Sequence, residues 1–395
     1  MISPSQDELD ELWARHDAAW RQPAQVPSQW HGADEVDPKI LRWATTGEWW
    51  ETLARLDLTL LVTREYEHLA MALCAPGGRP HISYMPTPHP AGMAVDHDAG
   101  VVYMASTRNP NQVFELRPVR GLLPRSDVDV AAPDDCPLVP VRSAFYPGCF
   151  YLHDLALVGG QLHAASAGQN VVLRLADGAA EAAWWPCCVD DHGQPRTDQN
   201  YIQLNSIAAG ESLHRSYFSA SAERISQRRP GHRNFSVDRR GVVFDGATRE
   251  PLARGLTRPH SARLHDGRVW VDNSGYGELC VIEGGKAEVA ARLPGWTRGL
   301  CFHQGVAFAG TSRVIPRFSS YAPGLDRDEC RCGVHAIDVA SGRVLGSIVW
   351  PFGNQVFALE WLPRSVSSGF PFVVGRPRPA AEKALFYSFD VRNGR

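Results

Sequence analysis

Six polar residues recur at one place in a repeated segment of this chain. His89, His153, Asn205, His260, Arg298 and Gln355 each open the same pattern. A short apolar run follows, then a turn, then a second apolar run, in most copies with Gly or Asp at the turn and small residues at the end. Three of the six are histidines, a larger share than 15 histidines in 395 residues would place there by chance. Neutral imidazoles suit Zn, Cu, Fe and Ni, and two or three of them with open positions make a catalytic metal centre. His89, His153 and His260 are therefore expected to hold a mononuclear transition metal. An all-histidine ligand set favours Cu or Fe, with Zn possible, over Ca²⁺, which prefers oxygen ligands; the expected chemistry is oxidation of a small-molecule or peptide substrate in bacterial secondary metabolism. Arg298 is expected to clamp a substrate carboxylate or phosphate. Asn205 would position the substrate, and Asp154 would take a ring N–H from the histidine of a neighbouring repeat. Two other readings stay open. A histidine acts as general base without metal while Arg298 stabilises an anion, as in a lyase or hydrolase. Alternatively, the polar positions tie repeats together in a non-enzymatic binding scaffold. Ring nitrogens within about 3–4 Å of one another would mark the metal site.

The elements that position these residues follow from the repeat. The segments read HPAGMAVDHDAGVVYMAST, HDLALVGGQLHAAS, NSIAAGESLHRSYFSA, HSARLHDGRVWVDNS, RGLCFHQGVAFAGTS and QVFALEWLP. Most intervals hold about four short strands and a loop, which is one propeller blade. The interval from His260 to Arg298 is the shortest and its boundary the least defined. The expected fold is all-β, a six-bladed β-propeller over residues 58–395, with residues 1–57 as a helical N-terminal extension. Helices are expected over 7–20 and 45–57. An inner strand at Val356–Leu362 starts the last blade, with FPFVVG and ALFYSFDV next and the N-terminal LTLLVTR and HLAMAL finishing it, so that the termini close the ring. Arg117–Pro140, Glu223–Arg240 and Ser312–Arg331 depart from the period. Long loops on a rigid ring are where substrate contacts concentrate.

Composition narrows the function classes. A net charge of −3 and 21% charged residues argue against nucleic acid or anionic membrane as partner. No run approaches the apolar length of a membrane span, and the acidic start lacks the features of a signal peptide, so the expected location is cytoplasmic. The nine cysteines are scattered, and neither Cys187-Cys188 nor Cys330-x-Cys332 has zinc spacing. Trp270, Trp296 and Trp361 read as packing residues.

The blocks HDLAL, QLNSIA, RPHSARLHDGRVWVDNSGYGEL, LPGWTRGLCFHQGVAFAGTSR and RCGVHAIDVASGRVLGSIVW resemble, in order, those of a bacterial family described only as conserved hypothetical proteins. Some of its members occur with tetratricopeptide repeats. The resemblance implies a six-bladed propeller and places His153, Asp154, Asn205, His260 and Arg298 at recurrent positions. It departs at HPAGM, where the family pattern has a methionine-glycine pair, so His89 falls outside it. The repeat is also distantly similar to that of the streptogramin-inactivating lyases, which use a histidine and a divalent ion. A looser likeness of architecture links it to the carotenoid-cleaving oxygenases, which hold iron with axial histidines.

Overall fold

Short β-rich runs separated by tight turns dominate the chain, and they fold as six antiparallel sheets around one axis. The computed structural model describes residues 4–21, 36–107, 111–121, 136–176, 178–232 and 234–375. Several hairpins turn on two residues that both have positive φ: Gly159–Gly160, Asp266–Gly267, Gly284–Gly285 and Gln304–Gly305. That geometry matches the twist of the flanking strands, which is why glycine recurs there. The first blade comprises Pro90–Asp96, Val101–Ser106, Asn111–Pro118 and Leu138–Tyr146. The second runs from Leu152–Val158 to Ala179–Trp184, and the third from Leu204–Ala208 to Pro251–Leu256. The fourth fits four strands between Pro259 and Arg292, so the shortest interval is a complete blade with tight turns. The fifth runs from Trp296–His303 to Val344–Val349.

The termini close the ring, though in a different order from the expected one. Ala358–Pro363 is the innermost strand of the sixth blade and pairs directly with Leu58–Arg64. Leu69–Cys74 and His81–Pro86 follow, and Phe372–Val373 is outermost. LTLLVTR and HLAMAL thus take the second and third places expected for FPFVVG and ALFYSFDV, HISYMP is fourth, and ALFYSFDV lies outside the described residues. Thr63 fastens the closure: its hydroxyl donates to Ala91 O (2.7 Å) in the first blade and accepts from Ala358 N (2.9 Å) in the sixth.

Neighbouring inner strands are locked by a repeated contact. Asp154 Oδ2 accepts from Ile207 N (3.1 Å), Ser206 Oγ from Ala262 N (2.7 Å), and Ser261 Oγ from Gly299 N (2.7 Å). Gly92 lies so close to Asp154 that a Cβ there would overlap its backbone. Apolar clusters between blades supply the core, for example Trp184 stacked on Phe218 at 3.9 Å.

Two helices precede the ring. Gln6–Arg21 opens on a reciprocal cap, with Ser5 N donating to Glu8 Oε2 (2.9 Å) and Glu8 N to Ser5 Oγ (3.2 Å). The expected helix over 45–57 is split. Ala44–Gly47 is a strand on the outer edge of the fifth blade, and the helix spans Trp49–Leu56. The β-branched Thr45 and Thr46 favour the pairing, and Gly47, at φ 63°, ends it. Among the described residues, no helix is long and apolar enough to cross a membrane.

His335 carries a measurable consequence of burial. Its ring lies between Thr311 Oγ1 (3.0 Å) and Ser347 Oγ (2.8 Å), and burial lowers its pKa to about 4. The unfolded chain takes up this proton near pH 6.5, whereas the folded chain resists it. Stability therefore falls as pH drops from the unfolded toward the folded value. By pH 5 this one group costs about 2 kcal/mol relative to neutral pH. Urea unfolding of His335→Gln at pH 7 and pH 5 should show an acid loss smaller by about that amount. An unchanged loss would assign the acid sensitivity to other groups.

Candidate functional site

Strand pairing corrects the register of the repeat. The equivalent inner-strand segments are Pro90-Ala91-Gly92-Met93, Leu152-His153-Asp154-Leu155, Leu204-Asn205-Ser206-Ile207, Pro259-His260-Ser261-Ala262, Thr297-Arg298-Gly299-Leu300 and Val356-Phe357-Ala358-Leu359. His153, Asn205, His260 and Arg298 are true equivalents. In the first and sixth blades that place belongs to Ala91 and Phe357. His89 and Gln355 stand two residues earlier, level with Tyr151, Gln203, Arg258 and Trp296. Backbone geometry agrees: His89, Tyr151, Gln203 and Arg258 have φ of 43°, 51°, 50° and 53°. The channel therefore has two tiers, set two residues apart along the chain and lining one cavity.

The two tiers line a cavity of 300 Å³ at the mouth of the channel. Tyr151, Gln203, Arg258, Trp296 and Gln355 come from the outer tier, and His153, His260 and Arg298 from the inner one. Two of the three loops outside the repeat line it, through Gly231 from one and Arg313, Val314, Ile315 and Tyr321 from the other. Beneath the inner tier the channel narrows to a void of 10 Å³.

Hydrogen bonds fix the protonation of the histidines. His153 Nδ1 lies 2.8 Å from Asn205 O, a pure acceptor, so Nδ1 carries the proton. Nε2 then accepts from Arg298 Nη2 at 2.7 Å. His260 Nδ1 lies 2.8 Å from Arg258 O and 2.9 Å from Ser274 Oγ, a hydroxyl that itself donates to Thr297 O (2.6 Å). Nδ1 again carries the proton, which leaves the Nε2 lone pair of His260 as the basic position. The two rings stack at 5.3 Å. Burial first, then the Arg298 and His153 charges, pushes the pKa of His260 well below its usual value, so it is neutral at physiological pH.

Three arginines line this cavity, and among the described residues none forms an ion pair. Arg298 packs flat on Phe357 at 3.3 Å. With the Gln355 amide turned to satisfy both neighbours, its oxygen accepts from Arg298 Nη1 (3.1 Å) and its nitrogen donates to Glu65 Oε2 (3.2 Å). Arg258 donates to the neutral Gln203 amide and lies 4.0 Å over the Tyr321 ring. Arg313 donates to Pro351 O (3.1 Å) and lies over Trp13. Burial lowers the pKa of all three, Arg258 to about 10, yet they stay charged. Buried cations with only neutral partners are costly, by several kcal/mol per ion. Such a site gains most from an incoming anion.

Other residues expected at the site are placed differently. Asp154 binds Arg263 (2.9 Å) and the Ile207 amide, rather than a histidine. Arg263 reaches on to Glu360 (3.8 Å), whose pKa burial raises to about 7. Asn205 turns its Nδ2 to Ser221 Oγ (3.0 Å) and Pro259 O (2.8 Å), bracing the third and fourth blades. Its backbone carbonyl sets the tautomer of His153. Trp296 lines the cavity, whereas Trp270 is buried and Trp361 lies between His97 (4.2 Å) and His303 (3.9 Å). Arg258, Gln203, Tyr151 and Arg313 are site residues the sequence reading passed over. The RPH triplet held the signal, because a residue two before His260 must share its face.

The three histidines expected to bind metal do not fit one. Among the described residues, no three His, Cys, Asp or Glu side chains cluster as metal ligands. His89 is in the outer tier and packs against His68 at 4.3 Å. The Nε2 of His153 is already occupied by a cation, which a second cation would have to displace.

Comparison with known proteins supports the architecture. Residues 47–369 match the family described as Domain of unknown function (DUF4915). No curated protein matches the sequence. A chain of a nidogen/laminin complex superposes with a TM-score of 0.50 at 11% identity, over 77% of this chain and 98% of that one. A protein of unknown function from Bacteroides caccae gives 0.48 at 11% identity, over 77% and 98%. A gluconolactonase from Xanthomonas campestris gives 0.42 at 15% identity, over 67% and 77%.

Proposed function

The chain belongs to the DUF4915 family, and we propose that its channel mouth binds a small organic anion and acts on it by general base catalysis. One observation carries this reading. Three arginines, two of them buried and none with a carboxylate partner among the described residues, share a 300 Å³ cavity with a histidine that is neutral at Nε2. A substrate carboxylate or phosphate supplies the missing countercharge, and Arg298 offers it a flat, oriented donor. His260 Nε2 takes a proton from the substrate or from an attacking water. The electron pair released moves toward a substrate oxygen, where Arg298 stabilises the negative charge that develops. Arg298 is held for that role by His153, which is itself fixed by Asn205 O. The pair then returns from that oxygen, in a lyase to expel a leaving group from the neighbouring carbon and in a hydrolase to expel it from the carbon the water attacked, and the leaving group takes the proton back from His260.

Calorimetry with a panel of carboxylates and phosphate esters tests the binding half. The acids should bind while their neutral amides or methyl esters do not. Arg298→Gln should weaken the acids by about tenfold or more. Equal affinity for acids and neutral analogues would overturn the reading.

A further inference from the structure

Arg298 and Arg258 sit in different tiers of the channel, and among the described residues each lacks an anionic partner. Arg298 belongs to the inner tier on the fifth blade, and Arg258 to the outer tier on the fourth. Their neutral partners differ too: His153 and Gln355 hold the first, Gln203 the second. A single carboxylate at Arg298 leaves Arg258 buried and uncompensated, 2% exposed. The wall at the outer tier is aromatic and amphipathic, with Tyr151 from the second blade and Trp296 from the fifth. Among the described residues, no carboxylate lines this cavity.

Taking the channel mouth as an anion site, we infer that its ligand is a dianion with one acidic group for Arg298, a second for Arg258, and a short apolar or hydroxylated body between them. The body's length is set by the separation of the two guanidinium groups, which lie on neighbouring blades and in different tiers. Arg313, at the rim, adds to the attraction for the outer group. Dicarboxylates and phosphorylated acids share this chemistry.

A series of α,ω-dicarboxylates from malonate to suberate, each set against the monocarboxylate of equal length, tests the inference by calorimetry at low salt. One dicarboxylate of the series should bind about tenfold or more tighter than its monocarboxylate. Arg258→Gln should erase that gain, so that in this variant the dicarboxylate binds no tighter than the monocarboxylate of equal length. A phosphorylated acid of similar span, such as 4-phosphobutyrate, tells whether the second group is preferably phosphate. If monocarboxylates bind and no dicarboxylate gains over them, the two-tier ligand is wrong while the anion site stands. If neither class binds, the anion site itself fails.

Discussion

Replacing Arg64 with alanine is expected to lower the unfolding free energy by about 3–5 kcal/mol. Arg64 and Glu67 are an ion pair at 2.9 Å with both side chains 0% exposed. Arg64 also donates to Ile40 O (2.8 Å) and packs on Trp350 at 5.0 Å. Glu67 in turn accepts from Asn354 N (2.6 Å) and Gln355 N (3.3 Å). The variant leaves a buried carboxylate without its cation, which is the costly outcome for such pairs. Replacing both partners, as in Arg64→Met with Glu67→Gln, should recover a large part of the loss, because the desolvation cost of both charges then disappears. Urea unfolding of the parent, both single variants and the double variant gives the coupling directly. A loss below about 1 kcal/mol for Arg64→Ala would show the pair to be no stronger than a surface one. The site is tied to this result, since Glu67 anchors the backbone of the residues that reach Arg298.

The arrangement of that anchor shows what the sequence makes legible. The blade count, the closure by both termini and the convergence of His153, His260 and Arg298 on one channel all follow from a repeat that can be counted by eye. The error lay in the register. His89 and Gln355 resemble the others only in that a polar residue precedes an apolar run. Strand pairing shows Ala91 and Phe357 in those places, so the polar signal had slipped by one face repeat. The small residue after each position was the better guide: Gly92, Asp154, Ser206, Ser261, Gly299 and Ala358 all fit the crowded contact between blades. A metal site built on three histidines in one ring could not survive a slip of two residues. The third and fifth blade loops were recognised as long, but their meeting over the channel was not. Phe235 and Tyr321 lie on opposite loops and both face the Arg258 guanidinium, at 5.7 and 4.0 Å. That contact links residues far apart in the chain and leaves no mark in local pattern.

The loops and the N-terminal helix act together on the site. Trp13 of that helix underlies Arg313, and Asp10 pairs with Arg327 at 3.1 Å. The helix therefore braces the loop that supplies Arg313 and Tyr321 to the cavity. A segment that looks like an appendage in sequence is part of what keeps two of the cavity's cationic contacts in place.

His260 gives the largest expected effect on chemistry. With Nδ1–H held by Arg258 O and Ser274, only Nε2 is free to take a proton, and no other side chain of the cavity offers a comparable neutral base among the described residues. His260→Ala should lower kcat/KM by about 10²–10⁴-fold, while anion affinity, carried by the arginines, changes little. The parent rate should rise with pH through an ionisation below the ordinary histidine range and be flat at neutrality, because the base must be unprotonated to act. Burial sets most of that depression and Arg298 the next part. Arg298→Gln removes the neighbouring cation, so it should move the His260 ionisation up toward the usual value as well as weakening the anion. The His260 ring can be followed by NMR titration, which needs no substrate. A His260 titration that does not move in Arg298→Gln would break the electrostatic coupling on which the mechanism depends. A His260→Ala variant with parental kcat/KM would remove His260 as the base while leaving the anion site to be judged by binding.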